Sequence, residues 1–169
     1  MQRGKRGTLV LAFFLIFVGV LFLVLTLVPS WNARLSWPLI FFVLSAGFMI
    51  PPLVFPKLRI GLSSLFIPGA ILATLGLIFT YNVISQDWGS WAYAWLLISS
   101  GIGAGLVLAS WYGHWGKAAT LTGIWIMVTS GAVFAFFGFI FGTAIMKMVT
   151  AGLLILFGLL LVLRSLRKK

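Results

Sequence analysis

The sequence contains no cysteine, one acidic residue and one histidine among its 169 residues. The missing cysteines exclude disulfides, thiolate metal sites and cysteine nucleophiles together. A lone carboxylate, Asp87, and a lone imidazole, His114, leave almost none of the acid–base inventory on which catalysis usually depends. Charge of either sign is scarce: 8% of residues are charged, against about a quarter in an ordinary soluble domain. So small a share cannot cover a water-facing surface, and a soluble fold is excluded. The chain offers instead 62% hydrophobic residues and a mean hydropathy of +1.20, the composition of an integral membrane protein.

The few charges divide the chain into uncharged runs of 27, 22, 27, 29, 29 and 16 residues, bounded by Arg6, Arg34, Lys57/Arg59, Asp87, Lys117, Lys147 and Arg164. Crossing about 30 Å of hydrocarbon as a helix takes roughly 20 apolar residues. Five runs suffice, and the sixth does so if Lys147 snorkels to the interface. The apolar residues run continuously rather than alternating, which excludes a barrel. Six transmembrane helices are expected at 8–28, 36–54, 67–85, 90–111, 118–141 and 144–165, in a single all-α domain over 1–169. Pro68 fits the first turn of the third helix. Residues 60–66 form a lead-in to it, and Pro51-Pro52 should kink or end the second.

The stretch 9–28 is too long for a signal-peptide core, and no small-x-small site follows it, so a retained helix is expected. Placing both termini in the cytoplasm puts ten Lys and Arg inside and only Arg34 and Lys147 outside. The positive-inside rule selects that orientation. The net charge of +11 is therefore mostly a topology signal, not a nucleic-acid footprint. The basic tail Arg164-Ser-Leu-Arg167-Lys168-Lys169 is suited to anionic headgroups, at about 1 kcal/mol per basic residue.

The chain also repeats itself. Gly19-Val-Leu-Phe22 and Trp37-Pro-Leu-Ile40 align with Gly76-Leu-Ile-Phe79 and Trp95-Leu-Leu-Ile98. A looser third copy carries Gly131-Ala-Val-Phe134. Glycines recur as Gly19, Gly76 and Gly131, and as Gly47, Gly105 and Gly158. Three antiparallel hairpins are expected, at about 8–54, 60–111 and 118–165. Helices in lipid associate through close backbone approach, so these glycines, with the Gly101/Gly105 pair, are the expected packing positions. A seam between two copies of the chain is the alternative use for them.

Tryptophans fall near the expected interfaces: Trp31, Trp37, Trp88, Trp91 and Trp95 on the outer side, Trp111 and Trp115 on the inner. Trp125, mid-helix, is expected to pack. Asp87 could pair with Arg34 or Lys147 from neighbouring outer loops, a contact of modest energy. One histidine cannot build a metal site, and no cofactor is expected. The spans hold no ionisable group between their boundary charges, which argues against a proton- or sodium-coupled carrier. Their hydroxyls can bond to their own helix carbonyls.

The first hairpin, Gly19-Val-Leu-Phe22, Asn32, Trp37-Pro-Leu-Ile40 and Gly47, resembles the transmembrane region of LiaF-type bacterial envelope proteins. The second copy, from Ile67-Pro-Gly69 through Ser90-Trp-Ala-Tyr-Ala-Trp-Leu-Leu-Ile98, resembles related small six-span bacterial membrane proteins of unknown function. The likeness covers most of 9–112. It implies a bacterial cytoplasmic membrane location and a regulatory or accessory role in envelope stress, beside a membrane sensor kinase. LiaF-type proteins carry a soluble C-terminal domain where this sequence has only the short tail 164–169, so kinase regulation itself does not carry over.

The expected function is that of a non-enzymatic membrane accessory or scaffold protein. Its expected partners are membrane lipids, with either another membrane protein or a second copy of the chain, and no nucleic acid. The alternative is a passive channel or a lipid or small-solute transporter, with its pathway between the hairpins.

Overall fold

The computed structural model describes residues 33–144 without interruption, together with 8, 12, 15–19, 22–23, 147–148, 150–152, 154–155 and 158–159. Among the described residues every regular element is helical and none is a strand. α1 is Ala33–Val54, α2 Arg59–Leu62, α3 Phe66–Ser85, α4 Trp91–Ala94, α5 Leu96–Gly113 and α6 Lys117–Phe141. Three single 3-10 turns, Pro56–Leu58, Ser63–Leu65 and Trp88–Ser90, flank the two short helices.

Among the described residues, four helical stretches are long and apolar enough to cross a membrane: Trp37–Val54, Pro56–Ser85, Leu96–Gly113 and Lys117–Phe141. The third and fifth expected helices are observed to within one residue, as α3 and α6. The second begins three residues early, at Ala33. Most of the expected spans 8–28 and 144–165 lies outside the described residues, although 15–19 and 150–152 are helical.

The expected helix 90–111 is two helices. Its start is diverted by Ser90, whose hydroxyl bonds to Asn82 and to the Asp87 carbonyl and so holds 88–90 in a 3-10 turn. A tightened bond from Ile98 N–H to the Trp95 carbonyl (3.0 Å) then separates α4 from α5. α4 therefore belongs to the connection between spans rather than to a span.

Prolines explain the end of α1. Phe55 N–H closes the last turn on the Pro51 carbonyl at 3.0 Å. The next donor would be Pro56, which has no N–H to offer the Pro52 carbonyl. The Tyr112 hydroxyl, arriving from the last turn of α5, donates to that carbonyl instead, at 3.1 Å. The helix ends two residues past the proline pair because the ladder runs out of donors.

The long helices pack as sequential antiparallel neighbours: α1 on α3, α3 on α5, α5 on α6. With little hydrophobic drive between helices in lipid, contact comes from small residues and interhelical hydroxyl bonds. The Ser45 hydroxyl donates to the Gly69 carbonyl across α1 and α3 at 2.7 Å, and Ser100 meets Ser130 across α5 and α6 at 2.8 Å. Gly76 is covered by the Phe42 ring, and Gly101 and Gly105 by Thr74, Ala70, Ile67 and Phe66 of α3.

α5 and α6 meet backbone to backbone, as α5 and α3 do where Gly105 faces Ile67. A methyl group on Gly103 would lie 2.6 Å from the Gly123 carbonyl oxygen, and one on Gly123 2.7 Å from the Gly103 oxygen. Trp125, expected to pack, is instead 66% exposed. Two residues along a helix turn about 200°, so the face that puts Gly123 against α5 turns Trp125 away from it.

Candidate functional site

The polar and aromatic side chains with the most developed contacts gather at the end of the bundle that carries Asp87. α3 ends at Ser85, and Gln86 takes a left-handed conformation (φ 54°) that reverses the chain into Asp87. Gln86 holds this turn by donating its side-chain amide to the Val83 carbonyl. The Ser85 hydroxyl donates to the Tyr81 carbonyl at 2.7 Å and accepts Asp87 N–H at 3.3 Å.

Beneath this turn lies Asn82, fully buried. Its amide nitrogen donates to the Ile78 carbonyl at 2.9 Å, and its oxygen accepts the Ser90 hydroxyl at 2.6 Å. An asparagine deep in an apolar helix requires such partners, because an unmatched amide there costs several kcal/mol.

An aromatic layer flanks the polar one. Trp37 lies 4.7 Å from Phe79 and 6.3 Å from Trp88, the two indoles nearly parallel at 11°. Phe41 and Trp91 extend the cluster around Phe79, at 4.9 and 5.5 Å. These rings hold the 3-10 turn against α1 and α3, so Trp37, Trp88 and Trp91 act as packing residues as well as candidate interface markers. Trp95, aligned with Trp37 by sequence, is 52% exposed and donates to the Ala92 carbonyl at 3.2 Å. The two tryptophans thus occupy different environments.

Tyr93 completes the site. It is 3% exposed and packs on Phe134 at 5.8 Å, yet its hydroxyl has no hydrogen-bond partner among the described residues. Burial raises the Tyr93 pKa above the ordinary tyrosine value, with the Asp87 charge and then Tyr81 adding to the effect. Tyr81 itself bonds through its hydroxyl to Thr143, at 3.3 Å. A buried hydroxyl without a partner costs about 1–3 kcal/mol. Tyr93→Phe is therefore expected to stabilise the chain by about 1 kcal/mol, read from reversible unfolding in micelles. Destabilisation would mean that water or another group completes the hydroxyl.

The remaining candidate residues fall as follows. Among the described residues Asp87 forms no ion pair with Lys147, which is exposed; the Arg34 side chain, Trp31 and the tail residues Arg164, Arg167, Lys168 and Lys169 lie outside the described residues. Gly47 is buried against the Phe17 ring. Among the described residues, Gly131 has only Ser100 Oγ nearby, at 3.6 Å from an added methyl, while Gly19 and Gly158 meet nothing within 4 Å.

Trp111 is 76% and Trp115 39% exposed, at the end opposite Asp87. His114 caps α5 in a left-handed conformation (φ 57°), its Nδ1 3.1 Å from the Tyr112 carbonyl oxygen. α5, about 27 Å long, separates it from Asp87, so carboxylate and imidazole cannot act as a pair. No group of His, Cys, Asp or Glu suited to a metal occurs among the described residues.

Sequence reasoning missed Gly103, Gly123, Asn82 and Ser90. A signal for the last two was present: an asparagine one turn before a helix end, eight residues from a serine after Asp87. The chain matches no known protein family, curated protein or solved structure.

Proposed function

We propose that this protein is a non-enzymatic accessory or scaffold component of the bacterial cytoplasmic membrane, working through intramembrane contacts with lipid or another membrane protein. The proposed whole has six spans in three hairpins, both termini in the cytoplasm, and an envelope-stress setting as the LiaF-type resemblance implies. The hairpin repeat draws support from Gly47 and Gly105. Each receives a residue from the preceding apolar stretch of its own hairpin, Phe17 in one case and Ile67 in the other.

The observation that carries the reading is the use made of the intramembrane hydroxyls. Thr74, Thr80, Thr122, Thr129 and Ser130 each donate to the carbonyl four residues back, at 2.6–3.0 Å. Hydroxyls so engaged hold their own helices rather than offering a solute a continuous polar path. The tight glycine contact between α5 and α6 supports the same view. Meanwhile α6 turns Leu121, Trp125, Phe136 and Ile140 outward, all exposed.

Photocrosslinking from position 125 of the full chain in native membranes tests the proposal. A protein adduct of one discrete mass is expected, absent when the crosslinker stands at exposed Ile84 at the far end of α3. Solute flux through vesicles containing only this protein, with no protein adduct, would transfer the weight to the channel or transporter alternative.

A further inference from the structure

The end of the bundle opposite Asp87 carries the exposed cations Lys57, Arg59 and Lys117. None of them forms a hydrogen bond or ion pair through its side chain among the described residues. No side-chain carboxylate can supply one: the sequence has only Asp87, beyond the far end of α3, about 30 Å away. Positive charge here is structurally unanswered.

The three cations belong to two connections that are packed together. α2 and the turn after it lie against the last turns of α5. Ser63 there is buried in contact with Gly113, one turn before Lys117. Phe66 meets Tyr112 edge-on at 5.6 Å, and the Tyr112 hydroxyl ties the same region to Pro52.

Beside Lys57 the surface is recessed. A cavity of about 360 Å³ is lined by Val54, Phe55, Pro56, Lys57 and Leu58. Ile60 (67% exposed) and Trp111 present further apolar surface at the same end of the bundle. An apolar recess with a cation at its rim fits an amphiphile whose charge is negative and whose body is hydrocarbon.

We propose that this end of the bundle binds an anionic phospholipid, its phosphate held among Lys57, Arg59 and Lys117 and its upper acyl chain lying in the recess at 54–58. The site uses residues other than those of the basic tail, and it rests on the membrane placement proposed above but on no protein partner.

The full chain, carried in nanodiscs of equimolar phosphatidylglycerol and phosphatidylcholine, is released into native mass spectrometry and its retained lipids are counted. Wild type is expected to retain phosphatidylglycerol over phosphatidylcholine. Near an anionic surface each basic residue is worth about five-fold. The K57Q/R59Q/K117Q variant should therefore lose the preference by about ten-fold or more, whereas K147Q should keep it.

Because all three side chains are exposed, unfolding midpoints should match wild type, which separates lipid loss from misfolding. Undiminished preference in the triple variant overturns the site, as does equal loss in K147Q. Displacement of the lipid by millimolar inorganic phosphate would assign the cations to a free anion instead and would also overturn it. Failure of the position-125 crosslink leaves this result unaffected, so the two proposals fail separately.

Discussion

Gly103→Ala and Gly123→Ala are each expected to destabilise the protein by about 2–3 kcal/mol, near the upper end of overpacking costs. The added methyl at 103 would stand 2.6 Å from both the Gly123 carbonyl oxygen and the Met127 backbone nitrogen. Those are backbone atoms of a regular helix, which cannot rotate aside as a side-chain tip can. α6 would have to retreat from α5 and stretch the bond between Ser100 and Ser130.

Once the helices have separated, a second methyl meets less resistance. The double variant should therefore cost clearly less than the two singles combined. Gly131→Ala is the control, since its methyl would stop at an ordinary 3.6 Å from Ser100 Oγ; a change below about 0.5 kcal/mol is expected. Reversible unfolding in mixed micelles measures all four. Equal effects at 131 and 103 would show that helix propensity, not approach distance, governs them.

Asn82→Ala is the second large effect, a loss of about 2–3 kcal/mol from a deleted hydrogen bond together with the cavity left behind. Its consequences should be local. The Ser90 hydroxyl keeps the Asp87 carbonyl, 2.8 Å away, but loses its link to α3. Amide exchange across 86–95 should accelerate while that of α5 does not. Ser90→Ala should cost about 1–2 kcal/mol, because it strands a buried amide oxygen. If both substitutions act through one bond, the double variant will fall short of their sum. Strict additivity would mean that the 2.6 Å contact contributes nothing to stability.

Helix placement was readable for α3 and α6 from the charges that bound their apolar runs. Arg59 and Asp87 bracket α3, and Lys117 marks the first residue of α6. The division of 90–111 was not readable, because hydropathy is blind to a serine hydroxyl that reaches back eight residues. Packing glycines were only partly legible. Spacing in the repeat selected Gly76 and Gly105, and the four-residue register selected Gly101, all of which receive neighbouring atoms; the repeat also selected Gly131, where an added methyl would make only an ordinary contact. Gly103 and Gly123 fit no repeat, since what makes them necessary is the crossing point of two helices. Trp125 illustrates the same gap: its depth along the helix was inferable, its azimuth was not.

Contacts between consecutive helices have a consequence for biogenesis. A chain whose long elements each dock on the one just made needs few long-range encounters, and local topologies of this kind form quickly. Each helix can settle against its predecessor as soon as it leaves the insertion machinery. One exception is Tyr112, which must travel back past α3 to find the Pro52 carbonyl. That bond can close only after α5 has docked, so it reports the moment at which α1, α3 and α5 become one body.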